Sequence, residues 1–158
     1  MTAEPSYHGI INSEIQEFPL AAGKLRLITG IYEGHAGIQG RYLPLDFYDI
    51  HLNAYGSVIL NVPGENEPAM IFTPKGAATV SETPIPAKTA AKLGSGDTVI
   101  IETGDEPTEI LFMCSDRLNE PVAWYVPVVM NTREELIQAF TEIDNVSFIK
   151  QVTNYKNP

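Results

Sequence analysis

Short β-branched and aromatic runs alternate with glycine- and proline-bearing turns along most of the chain, and only its last twenty-odd residues shift to a helical period. The turn signals are Tyr55-Gly56, Pro63-Gly64, Pro74-Lys75-Gly76, Gly94-Ser95-Gly96-Asp97 and Gly104-Asp105. They delimit predicted strands at Leu25 to Tyr32, Phe47 to Leu52, Val58 to Val62, Met70 to Thr73, Ala77 to Val80, Thr98 to Thr103, Ile110 to Cys114 and Val122 to Val126. This rhythm predicts an all-β sandwich or barrel. From Phe47 to Asn53 the alternation is clean: Tyr48, Ile50 and Leu52 share one face, and Asp49, His51 and Asn53 the other. In Leu25 to Ile31 the period of two is broken by Ile28. Gly34 to Leu45 and Ser81 to Lys92 have the composition of surface loops. Val146 to Ile149 reads as a further short strand, and residues 144 to 158 as a tail that frays toward its end.

Pro121 to Phe140 (PVAWYVPVVMNTREELIQAF) joins an apolar strand to an amphipathic helix. A proline at Pro127 confines ladder pairing around it to an edge or bulge. Thr132 with Glu135 has capping-box spacing, and Asn131 with Glu134 offers nearly the same arrangement. Leu136, Ile137, Phe140 and Ile143 then form one apolar stripe.

Composition narrows the function classes. The 158 residues suit one domain able to bury roughly 70% of its unfolded surface without disulfides. The 20 acidic against 10 basic residues leave a formal charge of −10, which opposes contact with phosphate backbones or anionic membranes. No nucleic-acid or membrane partner is therefore expected. Nothing approaches the ~18 apolar residues of a spanning helix. The opening MTAEPSYHG has neither the basic region nor the apolar core of a secretion signal, so cytoplasmic residence is the default expectation. The single cysteine, Cys114, lies in the apolar run Ile110 to Cys114, where an inert buried thiol is expected.

Three separated stretches carry a family resemblance. Glu4-Pro5-Ser6-Tyr7 and Gly23 to Gly34 (GKLRLITGIYEG) lead in, Pro44 to Leu52 (PLDFYDIHL) follows with Asp49, and Pro121 to Phe140 closes with Tyr125, Pro127 and Met130 to Glu135. With these the chain resembles the C-terminal half of pirins, members of the cupin superfamily. The resemblance implies a single jelly-roll-like antiparallel cupin barrel with one C-terminal helix. In that signature Pro127, Asn131, Thr132 and Glu135 have a structural part. Pirins are similar to two cupin barrels in tandem, with a mononuclear metal held by histidines and a glutamate of the N-terminal barrel. Here there is no His-x-His pair, no glutamate at cupin spacing after one, and no histidine between Gly104 and Met113. No metal ligand and no catalytic residue is carried over.

The residues themselves offer few chemical constellations. His8, His35 and His51 fall on an arm, a loop and a strand, which is not the spacing of three or four converging ligands. Asp49 and His51 share a strand face and, with Tyr48 and Tyr125, are the candidate lining of a ligand cavity; a merely solvated face is the plainer reading. Tyr32 and Trp124 belong to the same aromatic set, which equally suits a packed core. Glu102 and Glu109 flank a turn as a carboxylate pair would in acid-base chemistry. Ser57, Ser95 and Thr98 lie near glycines, without a nucleophile elbow or phosphate-cradling loop.

Three functions follow as expectations. A metal-free cupin module, without a cofactor, would act through protein contacts or by holding a small apolar ligand. A barrel that its relatives bury against another would then form a homodimer or bind a protein partner across the exposed barrel face. The resemblance also implies quercetin 2,3-dioxygenase activity, with iron, copper or manganese supplied by a separate barrel or an unrecognised site. Transcriptional co-regulation through protein partners is the third.

Overall fold

The computed structural model describes residues 7, 9 to 62 and 68 to 150. His8, the segment Glu4-Pro5-Ser6, the turn at Pro63-Gly64 and the end of the predicted tail lie outside the described residues. The chain divides into two compact units, one of Ile11–Arg117 and one containing the residues from Leu118 onward.

Residues of alternating polarity build the first unit. After a 3-10 turn at Asn12–Glu14, its strands are β1 (Gln16–Leu20), β2 (Gly23–Thr29), β3 (Ile31–Tyr32), β4 (His35–Ala36), β5 (Leu45–Leu52), β6 (Ser57–Asn61) and β7 (Ala69–Lys75). They continue with β8 (Ala78–Val80), β9 (Thr83–Ile85), β10 (Ala90–Lys92), β11 (Thr98–Thr103) and β12 (Thr108–Ser115). A six-stranded antiparallel sheet runs β1-β2-β5-β12-β7-β10, and a four-stranded one β6-β11-β8-β9. From β5 to β8 and again from β9 to β12, successive strands alternate between the two sheets. This is jelly-roll connectivity: each turn carries the chain across the sandwich.

Both sheets contribute to one core. Leu25, Leu27, Ile50, Ile71, Ile110 and Phe112 come from the larger sheet, Leu60, Val80 and Ile101 from the smaller. The predicted face of β5 is confirmed, since Tyr48, Ile50 and Leu52 are buried and the residues between them are not. Ile28 breaks its alternation for a structural reason: the β2–β5 register shifts between Leu27 and Thr29. Buried polar groups are hydrogen-bonded, as burial demands. Thr73 Oγ1 donates to Pro86 O at 2.7 Å, and Thr108 Oγ1 to Ala77 O at 2.9 Å. Thr103 Oγ1 donates to Asn53 O at 2.6 Å and accepts from Gly56 N at 2.8 Å. Each ties a loop to the core. Gly30 is fixed by its surroundings: with φ +91 and Asp46 packed where a side chain would begin, only glycine fits.

Two expectations change. The sheets do not close into a hydrogen-bonded barrel, because β9 and β10 end their respective sheets and do not pair with each other. Nor is Ser81 to Lys92 wholly a loop: its short segments Thr83–Ile85 and Ala90–Lys92 pair with β8 and β7 through backbone groups that alanine and proline content disguised.

The C-terminal unit contains β13 (Ala123–Tyr125), β14 (Val128–Met130) and α1 (Arg133–Asp144). Tyr125 pairs with Val128, so Val126 and Pro127, joined by a cis peptide, form the hairpin turn. Pro127 thus occupies a turn position instead of an edge or bulge, and its missing N–H removes no ladder bond. Thr132 caps the helix: its Oγ1 accepts from Glu135 N at 3.2 Å, and Glu135 Oε2 accepts from Thr132 N at 3.0 Å and Asn131 N at 3.1 Å. Asn131 is engaged elsewhere, donating through Nδ2 to Glu120 Oε2 at 2.7 Å and Pro121 O at 3.1 Å. In α1 only Ala139 is buried; Leu136 and Phe140 are half-buried, while Ile137 and Ile143 are exposed. Val146 to Ile149 forms no strand, and Val146 adopts a positive φ of 55 beyond the helix end.

Candidate functional site

One candidate site in the first unit follows from its open edge. Where β10 and β9 end the two sheets, the sandwich parts around a cavity of about 370 Å³, within the size range of small-molecule sites. Val62, Ala69, Val80, Ile85 and Val99 form its buried aliphatic floor. Its remaining lining includes Ser81, Thr83, Ser95 and Thr98, the glycines Gly94 and Gly96, and Lys92. The mouth is strained, since Ser81 (φ 46) and Glu82 (φ 69) both hold left-handed backbone between β8 and β9.

The donor set decides what this cavity suits. Its described lining contains no imidazole, thiol or carboxylate, so those side chains do not fit a mononuclear iron, copper or manganese ion. Among the described residues no group of three or more histidine, cysteine, aspartate and glutamate side chains could hold a metal.

The sequence-predicted cavity residues lie elsewhere. Tyr48 faces the core, where it stacks on Phe112 with centroids 5.5 Å apart and meets Tyr32 edge-on at 5.7 Å. Its hydroxyl donates to Ile31 O at 2.6 Å, and burial, with Asp46 nearby, raises its pKa far above the usual phenol range. Asp49 and His51 project from the opposite face of β5, because neighbours on a strand alternate sides. There Asp49 Oδ2 accepts from Arg26 Nη1 at 2.6 Å, Asp49 Oδ1 lies 3.0 Å from His51 Nε2, and Arg26 Nη2 donates to Asn12 Oδ1 at 2.6 Å. Arg26 Nε lies 3.2 Å from Glu17 Oε1, whose pKa is lowered chiefly by the hydrogen bond from Lys24. The set joins β1, β2, β5 and the 3-10 turn as a surface network. Tyr48 therefore cannot share one cavity with Asp49 and His51.

Other candidates separate in the same way. Glu102 and Glu109 alternate away from the core on different sheets, and Lys75 Nζ contacts Glu109 Oε1 at 3.4 Å, so they form no carboxylate pair. His35 lies edge-on to Phe18 at 5.1 Å. Cys114 is buried and outside any disulfide.

Tyr125 and Trp124 line a second, more open hollow of about 540 Å³ within the C-terminal unit, together with Leu136, Ile137, Phe140 and Arg133. Tyr125 meets Phe140 edge-on at 5.5 Å. Periodicity did not reveal the aliphatic cavity, because its mouth is built from the stretch around Ser81 and Ala91 that read as loop. Paired prolines and alanines flanking Ile85 were the available signal.

Two sheets in jelly-roll connectivity, with a cavity at their open edge, define a cupin-class protein. The model of the pirin C-terminal cupin domain matches residues 47–149, and the chain belongs to the pirin family through that domain. Similar proteins include one from Thermoplasma acidophilum provisionally named a quercetin 2,3-dioxygenase. It is 29% identical over 157 residues, covering 94% of this chain and 60% of the relative. A pirin-like protein of Caulobacter vibrioides is 33% identical over 126 residues, covering 78% of this chain and 45% of its own length. The crystal structure of a quercetin 2,3-dioxygenase from Acinetobacter baumannii superposes with a TM-score of 0.82 at 28% identity, over 90% of this chain and 50% of that one. The chain thus spans about half the length of such relatives. No helix among the described residues is long and apolar enough to cross a membrane.

Proposed function

We propose that this pirin-like cupin is a metal-free module that holds a small apolar ligand in the cavity between β7, β8, β10 and β11. The observation that carries the reading is the cavity's lining: an aliphatic floor with no described metal-donor side chain. Burying apolar surface there contributes roughly 25 cal/mol per Å², a driving force that requires no coordination. Metal analysis of the purified chain, followed by quercetin turnover with added iron, copper or manganese, tests this. The expected result is neither a stoichiometric metal nor turnover; both together would overturn it.

The match to the Acinetobacter baumannii quercetin 2,3-dioxygenase supports a second reading, in which the chain serves dioxygenase chemistry with a metal supplied by another barrel. Turnover that arises only when an N-terminal pirin half is added would favour it. Protein contact is a compatible role. Val122, Trp124, Tyr125, Val126 and Ile137 are exposed in the C-terminal unit, which supports self-association or a protein partner there. The outer face of β2 and β5, by contrast, is charged. Light scattering at tens of micromolar should report a dimer, and a strict monomer would contradict self-association.

A further inference from the structure

We infer that strand β6 is a pairing edge at which two copies of this chain join their smaller sheets into one, Ser57–Asn61 running antiparallel to its equivalent about a two-fold axis at Ile59. This gives the self-association proposed above a particular contact, separate from the exposed surface of the C-terminal unit, and it needs nothing of the ligand cavity. β6 ends the four-stranded sheet, beside β11. The two pair in the register Ile59↔Ile100, with Val62 N donating to Asp97 O at 2.8 Å past one end and Thr103 N to Gly56 O at 2.9 Å past the other. Antiparallel bonds alternate, so Val58 and Leu60 turn their N–H and C=O groups toward β11, and Ser57, Ile59 and Asn61 turn theirs to the open side. None of those three backbones hydrogen-bonds another described residue there.

The other ends of the two main sheets are blunted, and this one is not. Natural edges resist pairing through proline, charge or brevity. β1 carries Glu17 and Pro19, β9 has Pro84 within three residues, and β10 is three residues ending on Lys92. β6 has five residues, Ser-Val-Ile-Leu-Asn, without proline, glycine or charge, and its Ile59 is 62% exposed. The strand is also complementary to itself. With Ile59 facing the partner's Ile59, Ser57 faces the partner's Asn61, and the paired backbones exchange about six ladder bonds. Ile100, exposed in register with Ile59, extends this into one apolar row of Ile100, Ile59, the partner's Ile59 and the partner's Ile100. Charge permits the approach despite a formal −10 on each copy. The acid on β11 is Glu102, in register with Ser57. Standard strand spacing puts it about 20 Å from its equivalent, beyond the ~8 Å Debye length at physiological salt. An extended segment of another protein would use the same groups, but a self-complementary edge is satisfied by a second copy alone.

Analytical ultracentrifugation of the chain, with amide hydrogen exchange read by NMR at low and high protein concentration, tests the pairing. The wild type should dimerise. The amides of Ser57, Ile59 and Asn61 should gain protection as concentration rises, while those of Val58 and Leu60, bonded to β11 in either state, change little. Ile59→Lys sets two ammonium groups opposite each other at a position already exposed in the single copy, and should raise the dissociation constant at least about tenfold. Trp124→Ala should leave the dimer unchanged. A wild type that stays monomeric would overturn this inference together with the self-association reading. A dimer that survives Ile59→Lys, gives no concentration-dependent protection at Ser57, Ile59 and Asn61, or dissociates on Trp124→Ala would overturn the edge pairing alone. The last of these results would move the contact to the C-terminal unit.

Discussion

Phe112 and Trp124 are both aromatic residues on strands, yet Phe112 is fully buried and Trp124 is 66% exposed. The difference lies in what flanks each strand. β12 carries Phe112 between β5 and β7, beneath a second sheet. Among the described residues β13 has one strand partner, and its unit adds a single helix. A lone hairpin is marginal in water, because two strands cannot enclose a core. Hydrophobicity therefore means different things in the two units: cohesion in the jelly roll, and available surface in the hairpin and helix.

The largest expected effect breaks that comparison if it is wrong. Phe112→Ala should destabilise the protein by about 3–5 kcal/mol in urea unfolding, whereas Trp124→Ala should cost less than about 0.5 kcal/mol. Comparable losses would mean that the exposed aromatics are also structural. A smaller effect sharpens the interior. Tyr48→Phe leaves Ile31 O without its donor and should cost about 1 kcal/mol. The raised Tyr48 pKa also has a pH signature, worked out from linkage. The folded state holds the phenol proton more tightly than the unfolded one, so this stabilisation is complete below the ordinary phenol pKa. It is lost progressively above about pH 10, where unfolded tyrosine ionises. Alkaline unfolding curves of wild type and Tyr48→Phe should therefore converge as pH rises; parallel curves would contradict the assignment. The most local effect lies in the C-terminal unit. Thr132→Ala removes the cap and should cost the helix about 1 kcal/mol, read as faster hydrogen exchange within Arg133–Asp144 and a much smaller change in jelly-roll amides.

Legibility followed the same division. Strands flanked on both sides and buried on one face, such as β5, β11 and β12, were readable because alternation records burial directly. The capped helix was readable because its start depends on local chemistry at Thr132 and Glu135. The edge strands β1, β9 and β10 escaped because exposure relaxes their composition: Gln16–Leu20 includes a proline and two acceptor-rich polar residues, and Ala90–Lys92 has little β preference. The cavity was hidden for that reason, since edge strands frame it. For Asp49 and His51 the sequence specified the shared face, but which side met the core required the second sheet. Membership in the pirin family was legible from Pro121 to Phe140 and was confirmed by the match over residues 47–149.

The central claim is that ligand binding belongs to the aliphatic cavity of the jelly roll and not to the aromatic hollow of the C-terminal unit. Amide and methyl shift mapping by NMR during titration with 3-phenylpropan-1-ol tests it directly. The account predicts shifts centred on Val62, Ala69, Val80, Ile85 and Val99. Shifts centred instead on Trp124, Tyr125, Leu136 and Phe140 would contradict it.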